Sequence, residues 1–227
     1  HCLGLDELLR RARAAGLQVR TLSVGSLGGL EAARRGECDL GGVHLLDEET
    51  GAYNAPFAAR AGAGVRLVRG YGRRQGVLHR EKSLRGAAAA EVVRALAARA
   101  GAAMVNRNRG SGTRILIDRL LASAGVDAAR AAALPGYELE ARSHNAVAAS
   151  VAQGKADWGV AIEGVAGPYG LEFAWLADEQ YDFVVPGERL ERAPVRAVRA
   201  LLQDQGARAA LRALGFQVGD DCGTLSI

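Results

Sequence analysis

Apolar residues recur along this chain in two different periods. Over residues 3–15, Leu5, Leu8 and Leu9 stand among arginines at helical spacing and Gly16 ends the run, which predicts an amphipathic helix. Residues 17–24 place Val19, Leu22 and Val24 as a strand would. Residues 27–35 read as a helix stopped by Gly36, and residues 39–45 as a short apolar strand, so a βαβ pattern opens the chain. Candidate strands at 65–68 and 76–78 flank a glycine- and arginine-rich stretch. Helices follow at 87–100, 113–124 and 145–153, interleaved with strands at 102–105, 137–141, 158–162, 173–176 and 181–185. Residues 194–214 close the pattern as one long helix or two short ones.

This alternation predicts an α/β fold of parallel sheets covered by helices on both faces. A single sheet of roughly ten strands would exceed the usual size, so two sheets of about five strands each are expected. The chain then divides into a first lobe over residues 1–73, a second over 76–176, and a return to the first over 177–227. Two crossings make a hinge.

Composition narrows the function classes. With 227 residues, 49% of them hydrophobic and 24% charged, the chain is expected to fold, and no apolar run reaches the ~18 residues of a membrane helix, so no membrane insertion is expected. The net charge of +4 comes mainly from arginines scattered among alanines and glycines; Lys82 and Lys155 are the lysines. Scattered charge of this kind predicts no direct nucleic-acid contact. Cys2, Cys38 and Cys222 form no C-x-x-C pair, so neither a disulfide framework nor a zinc site is indicated, although one pair plus a free thiol stays open. The four histidines have no i, i+3 or i, i+4 partners, and no metal site is expected. No basic and apolar leader is seen at the start; a removed signal peptide and a piece of a longer chain both fit.

Catalytic motifs are missing. Neither Ser26 nor Ser111 sits in a nucleophile elbow, and no phosphate-binding G-x-x-x-x-G-K-[ST] or zinc-binding H-E-x-x-H occurs. Glu163 and Asp182, at strand ends, read as structural. No catalytic residue and no cofactor is expected.

What remains is a binding site. In open parallel sheets ligands sit beyond the carboxyl ends of strands, where the next helix begins. Three such loops are alike: Gly25-Ser26-Leu27-Gly28-Gly29, Asn106-Arg107-Asn108-Arg109-Gly110-Ser111-Gly112-Thr113, and Arg142-Ser143-His144-Asn145-Ala146. Each offers unpaired backbone N–H groups and the positive end of a helix dipole, a setting that attracts anions. Ser26, Leu27, Ser111, Gly112, Thr113, Ser143 and Asn145 are the candidate contacts, with His44 and His144 beside them. Among the crowded arginines Arg109 is favoured as a direct contact, while Arg107 and Arg114 read as solvated. None of the loops contains a carboxylate, which suits a fully deprotonated oxyanion that accepts hydrogen bonds and donates none.

These loops carry a family resemblance that covers nearly the whole chain. Gly25-Ser26-Leu27-Gly28-Gly29-Leu30, the run Arg35 to Asp47 through Gly41-Gly42-Val43-His44, and Thr50-Gly51-Ala52-Tyr53-Asn54 resemble the periplasmic-binding-protein-like domain related to tungstate- and molybdate-binding proteins. Gly72-Arg73-Arg74-Gln75-Gly76, the second loop, and Ser143-His144-Asn145 with Gly154-Lys155-Ala156-Asp157-Trp158-Gly159 extend it. The resemblance implies the class II binding-protein fold, two α/β lobes that close on a ligand. It also implies hydroxyl and amide donors for the oxyanion at Ser26, Ser111, Thr113 and Ser143. Such domains occur as transporter components and fused to helix-turn-helix or molybdopterin-synthesis modules. The family's first strand and Ser-His turn would precede the first helix, where this sequence has His1 and Cys2, and a cytoplasmic sensor is expected for that reason. The leading expectation is a non-enzymatic domain binding molybdate or tungstate. The alternatives are an effector domain of a transcriptional regulator recognising a small organic acid, and a part in molybdenum-cofactor assembly.

Overall fold

The computed structural model describes residues 2–109 and 111–226. In chain order its elements are α1 (Leu3–Ala14), α2 (Gly25–Arg34), β1 (Gly41–Val43), α3 (Ala55–Ala61), β2 (Val65–His79), α4 (Ala89–Ala97), β3 (Met104–Arg107), α5 (Gly112–Ser123), α6 (Ala128–Ala132), β4 (Glu140–Ala141), α7 (His144–Ala152), β5 (Trp158–Ile162), β6 (Glu172–Pro186), α8 (Ala193–Gln203) and α9 (Gln205–Ala213). The chain divides into two compact units. The first runs up to Arg73 and resumes at Glu179; the second is Arg74–Asp178. Strands β2 and β6 each pass from one unit to the other.

In the first unit the strand order is β1-β6-β2, and β1 pairs antiparallel with β6 through Gly41↔Val184 and Val43↔Asp182. Ala33, Val43, Ala58, Val65, Leu67 and Val184 form one buried cluster of this unit. Stacked and edge-on aromatic rings, Tyr71 with Tyr181, Phe183 and Phe216, form another. In the second unit the order is β2-β5-β3-β4, with β3 parallel to both β4 and β5 and β2 antiparallel to β5. Val92, Val93, Leu96, Ile117, Leu120, Leu121 and Trp158 form its core. All but Trp158 stand at helical spacing on α4 and α5, so each of these helices buries one face.

Two expectations need correction. The run 17–24 forms no strand: its apolar phase slips at Thr21, no neighbouring strand supplies a ladder, and Leu22 is left 88% exposed. The predicted pairs of strands at 65–68 and 76–78, and at 173–176 and 181–185, are single long strands. In the first of them glycine misleads because at Gly70 it serves close packing, not a turn; a Cβ there would strike the Tyr181 carbonyl oxygen. Of the two forms expected for the C-terminal stretch, the structure has two helices, parted at Asp204, whose carboxylate caps α9 by accepting from Ala207 N at 2.7 Å.

Candidate functional site

The second unit brings two of the three loops together. Strands β3 and β4 are parallel neighbours, with Arg107 opposite Ala141, so the loops leaving them begin side by side at one edge of the sheet. The first leads into α5 and the second into α7. Ser111 caps α5, its Oγ accepting from Arg114 N at 3.3 Å, and Ser143 caps α7, its Oγ accepting from Ala146 N at 3.1 Å. A capping hydroxyl accepts with its oxygen and keeps its own hydrogen to donate, so capping does not remove either serine from an anion's donor set. Gly112 and Thr113 occupy the first turn of α5, and His144 and Asn145 that of α7; Thr113 and His144 are buried. Gly110 lies outside the described residues.

The arginines are placed the other way round from the sequence reading. Arg107, read as solvated, is 7% exposed; its Nε donates to the Ala141 carbonyl at 3.1 Å and its guanidinium lies 2.9 Å from His144 Nδ1. As the last residue of β3 it is carried inward by the sheet. Arg109, two residues on, is 74% exposed, and its guanidinium meets Glu138 at 3.0 Å and Glu140 at 3.6 Å. Arg114 is buried as well, stacked over Tyr137 at 4.5 Å.

A guanidinium has only N–H groups to give, so the nearer ring nitrogen of His144, Nδ1, accepts, and the neutral ring carries its proton on Nε2. The set formed by Arg107, His144, the two serines and the opening amides of α5 and α7 is rich in donors.

The first unit holds the remaining loop. Gly25 enters α2 at φ +71°, a backbone angle that favours glycine. The preceding Val24 cannot cap the helix, and Ser26, in its first turn, accepts from the backbone N–H of His44 at 3.2 Å. Leu27 is exposed. On the other side of His44, Nδ1 lies 2.7 Å from Glu179 Oε1, while Arg73 Nε donates to Glu179 Oε2. Burial alone would raise the Glu179 carboxyl; the Arg73 charge and the His44 hydrogen bond outweigh it and hold the group far below the usual carboxylate range. The loop after His44 is pinned by buried Asn54, which accepts from Leu45 N at 2.7 Å and donates to Asp182 at 2.8 Å.

Sequence reasoning overlooked Arg73, Glu179 and Asn54. Asn54 alone carries a backbone signal, a φ of +60° in a non-glycine residue, and no sequence pattern announces that. Asp182, read as structural, is fully buried and accepts from Gly70 N at 2.9 Å. Glu163 pairs with Arg74 at 2.9 Å. Cys2, Cys38 and Cys222 are all free thiols. Among the described residues no group of three or more His, Cys, Asp or Glu is placed to hold a metal ion, and no helix is long and apolar enough to cross a membrane.

Residues 7–203 match the family described as the PBP superfamily domain. The chain belongs to that superfamily. Relative to a Bacillus subtilis (strain 168) protein carrying the name Uncharacterized protein YvgK, this PBP superfamily domain is 33% identical over 191 residues, which are 82% of the chain and 58% of the relative. The chain therefore spans less than two thirds of that relative's length. A putative phosphate ABC transporter substrate-binding protein with bound phosphate, from Clostridium perfringens, superposes with a TM-score of 0.67 at 12% identity, over 94% of this chain and 95% of the other. PhnD1 from Prochlorococcus marinus (MIT 9301), in complex with methylphosphonate, gives 0.57 at 14% identity over 97% and 90%. An H2O2-bound mutant of OxyR from Corynebacterium glutamicum gives 0.59 at 15% identity over 93% and 64%. At such identities the likeness is one of fold, and it is the fold of a PBP superfamily domain.

Proposed function

We propose that this chain binds a small oxyanion without transforming it. The observation that carries the reading is the second unit's donor set: two capped helix starts side by side, with the buried Arg107 guanidinium against one of them. Helix dipoles, backbone amides and a guanidinium suit a compact anion. Two fold relatives, one with bound phosphate and one in complex with methylphosphonate, support the same class. Molybdate and tungstate belong to that class and are its finer candidates from the sequence. The first unit's set around Ser26 and His44 is proposed as a contributor in its own right, to be tested by its own variants.

The test is a melting-temperature titration with phosphate, sulfate, molybdate and tungstate, against sodium chloride at matched ionic strength. At least one of the four oxyanions raises the midpoint at millimolar concentration, since a ligand bound only by the folded chain stabilises it. Arg107→Ala weakens that ligand roughly 10- to 100-fold, the scale of a lost charge-assisted hydrogen bond, and Arg107→Lys recovers part of it because charge returns without the planar fork. A response to none of the four, or an unchanged affinity in Arg107→Ala, refutes the assignment. Protection by an organic carboxylate alone points instead to the effector-domain alternative, which the OxyR likeness in fold keeps in view.

A further inference from the structure

The helix-start loops contain no carboxylate, and on the sequence alone that favours an anion bearing no proton. The folded first unit alters this balance. Glu179, 135 positions from His44 along the chain, accepts from its Nδ1 at 2.7 Å, and Arg73 engages the other carboxylate oxygen. An ionised carboxylate can only accept, so the ring proton is fixed on Nδ1 and Nε2 of the neutral ring carries a lone pair. That nitrogen has no hydrogen-bond partner among the described residues, and the side chain is 22% exposed. The backbone N–H of the same residue holds Ser26 Oγ, which ties the ring's position to the first turn of α2. Glu179 and the stacked Tyr181 ring face it from β6, and Arg73 lies behind Glu179 on β2.

We infer that His44 is a specificity-determining residue whose Nε2 accepts a hydrogen bond from the ligand, so that the anion taken at the start of α2 is a protonated oxyanion of the hydrogen-phosphate or phosphonate class. Sulfate, molybdate and tungstate have no proton to give near neutral pH and leave the lone pair unmatched. The inference rests on the anion-binding reading above and names the ligand class of the first unit's contribution to it.

Calorimetric titration of the chain with phosphate, sulfate and molybdate tests it. At about pH 8 phosphate binds roughly tenfold more tightly than sulfate or molybdate, the usual scale of one unmatched polar group. His44→Ala abolishes the preference. His44→Gln, whose amide donates to Glu179 and presents its oxygen to the ligand, retains the phosphate preference. Equal binding of phosphate and sulfate at about pH 8, or a preference that survives in His44→Ala, overturns the role of His44 and leaves anion binding standing. Binding of none of the three anions removes both.

Discussion

The two units each set a histidine beside a helix start, and each fixes the ring in the opposite tautomer. In the second unit His144 faces Arg107, accepts at Nδ1 and holds its proton on Nε2. In the first, His44 faces Glu179, donates from Nδ1 and keeps a lone pair on Nε2. The same side chain thus becomes a donor's carrier in one unit and an acceptor in the other, and a neighbour remote in sequence makes the choice. The helix starts differ in the same sense. Helices α5 and α7 are capped by serines that precede them, whereas α2 follows a valine that cannot cap it and uses its serine to hold a neighbouring backbone. One unit is built to give hydrogen bonds; the other gives and takes.

The comparison breaks most violently at Glu179. Glu179→Gln leaves Arg73 buried without its counter-charge and leaves one acceptor oxygen where His44 and Arg73 each had one, so a loss of about 3–5 kcal/mol of stability is expected. Its pH dependence has a definite sign. The folded-state pKa of Glu179 lies below the unfolded one, so its contribution is complete above the ordinary carboxylate range, about pH 4–5, and is lost as the pH falls through that range toward the folded value. Urea unfolding from about pH 7 down to pH 3 therefore shows a shallower acid loss in Glu179→Gln than in the parent. Equal slopes mean that the carboxylate is not held ionised by Arg73, and the tautomer argument for His44 loses its footing.

The same contrast marks where the sequence was readable. The helices at α4, α5 and α7 were legible because apolar spacing and a following glycine or small residue agree with packing, and Ser111 and Ser143 were legible as caps from their place ahead of apolar runs. The strand expected at 17–24 failed because spacing registers a pattern and not the presence of a partner. Long strand β2 was cut in two because Gly70 and Gly76 resemble turn signals when the chain that packs against them is unseen, and β6 because the polar Asp178-Glu179-Gln180 stretch interrupts its apolar run. Arg107 and Arg109 are alike in type and context; strand pleating buries one and loop geometry exposes the other. Glu179 had no local signal whatever, since its meaning comes from Arg73 and His44 across the fold.

A middle-sized effect sharpens the difference in capping. Ser111→Ala and Ser143→Ala each remove a side-chain acceptor from an opening amide and are expected to cost about 1 kcal/mol, with weaker oxyanion binding from the lost hydroxyl. Ser26→Ala removes no cap from α2 and should cost less, although it frees the His44 amide. Urea midpoints at constant m-value give the order. A Ser26→Ala loss as large as those of the two capping serines would show that α2 depends on its serine as they do, and the distinction between the units would disappear.

The smallest effect is expected at Arg109, and its smallness is informative. Its side chain is 74% exposed and meets Glu138 at 3.0 Å and Glu140 at 3.6 Å, so water and salt screen both pairs. Arg109→Ala should change stability by no more than about 0.5 kcal/mol and leave oxyanion affinity within a factor of about two. Arg107→Ala, two residues away and buried, should do far more to both. The pair separates charge from placement: both variants remove one positive charge from the same short stretch, so a general electrostatic attraction would weaken alike in each. Calorimetry of the two variants side by side distinguishes these cases, because a loss concentrated at Arg107 requires directed hydrogen bonds. An Arg109→Ala loss equal to or greater than that of Arg107→Ala would mean that the exposed guanidinium leaves its glutamates to meet the anion, and that the donor set must be rebuilt around the loop and not around the end of β3.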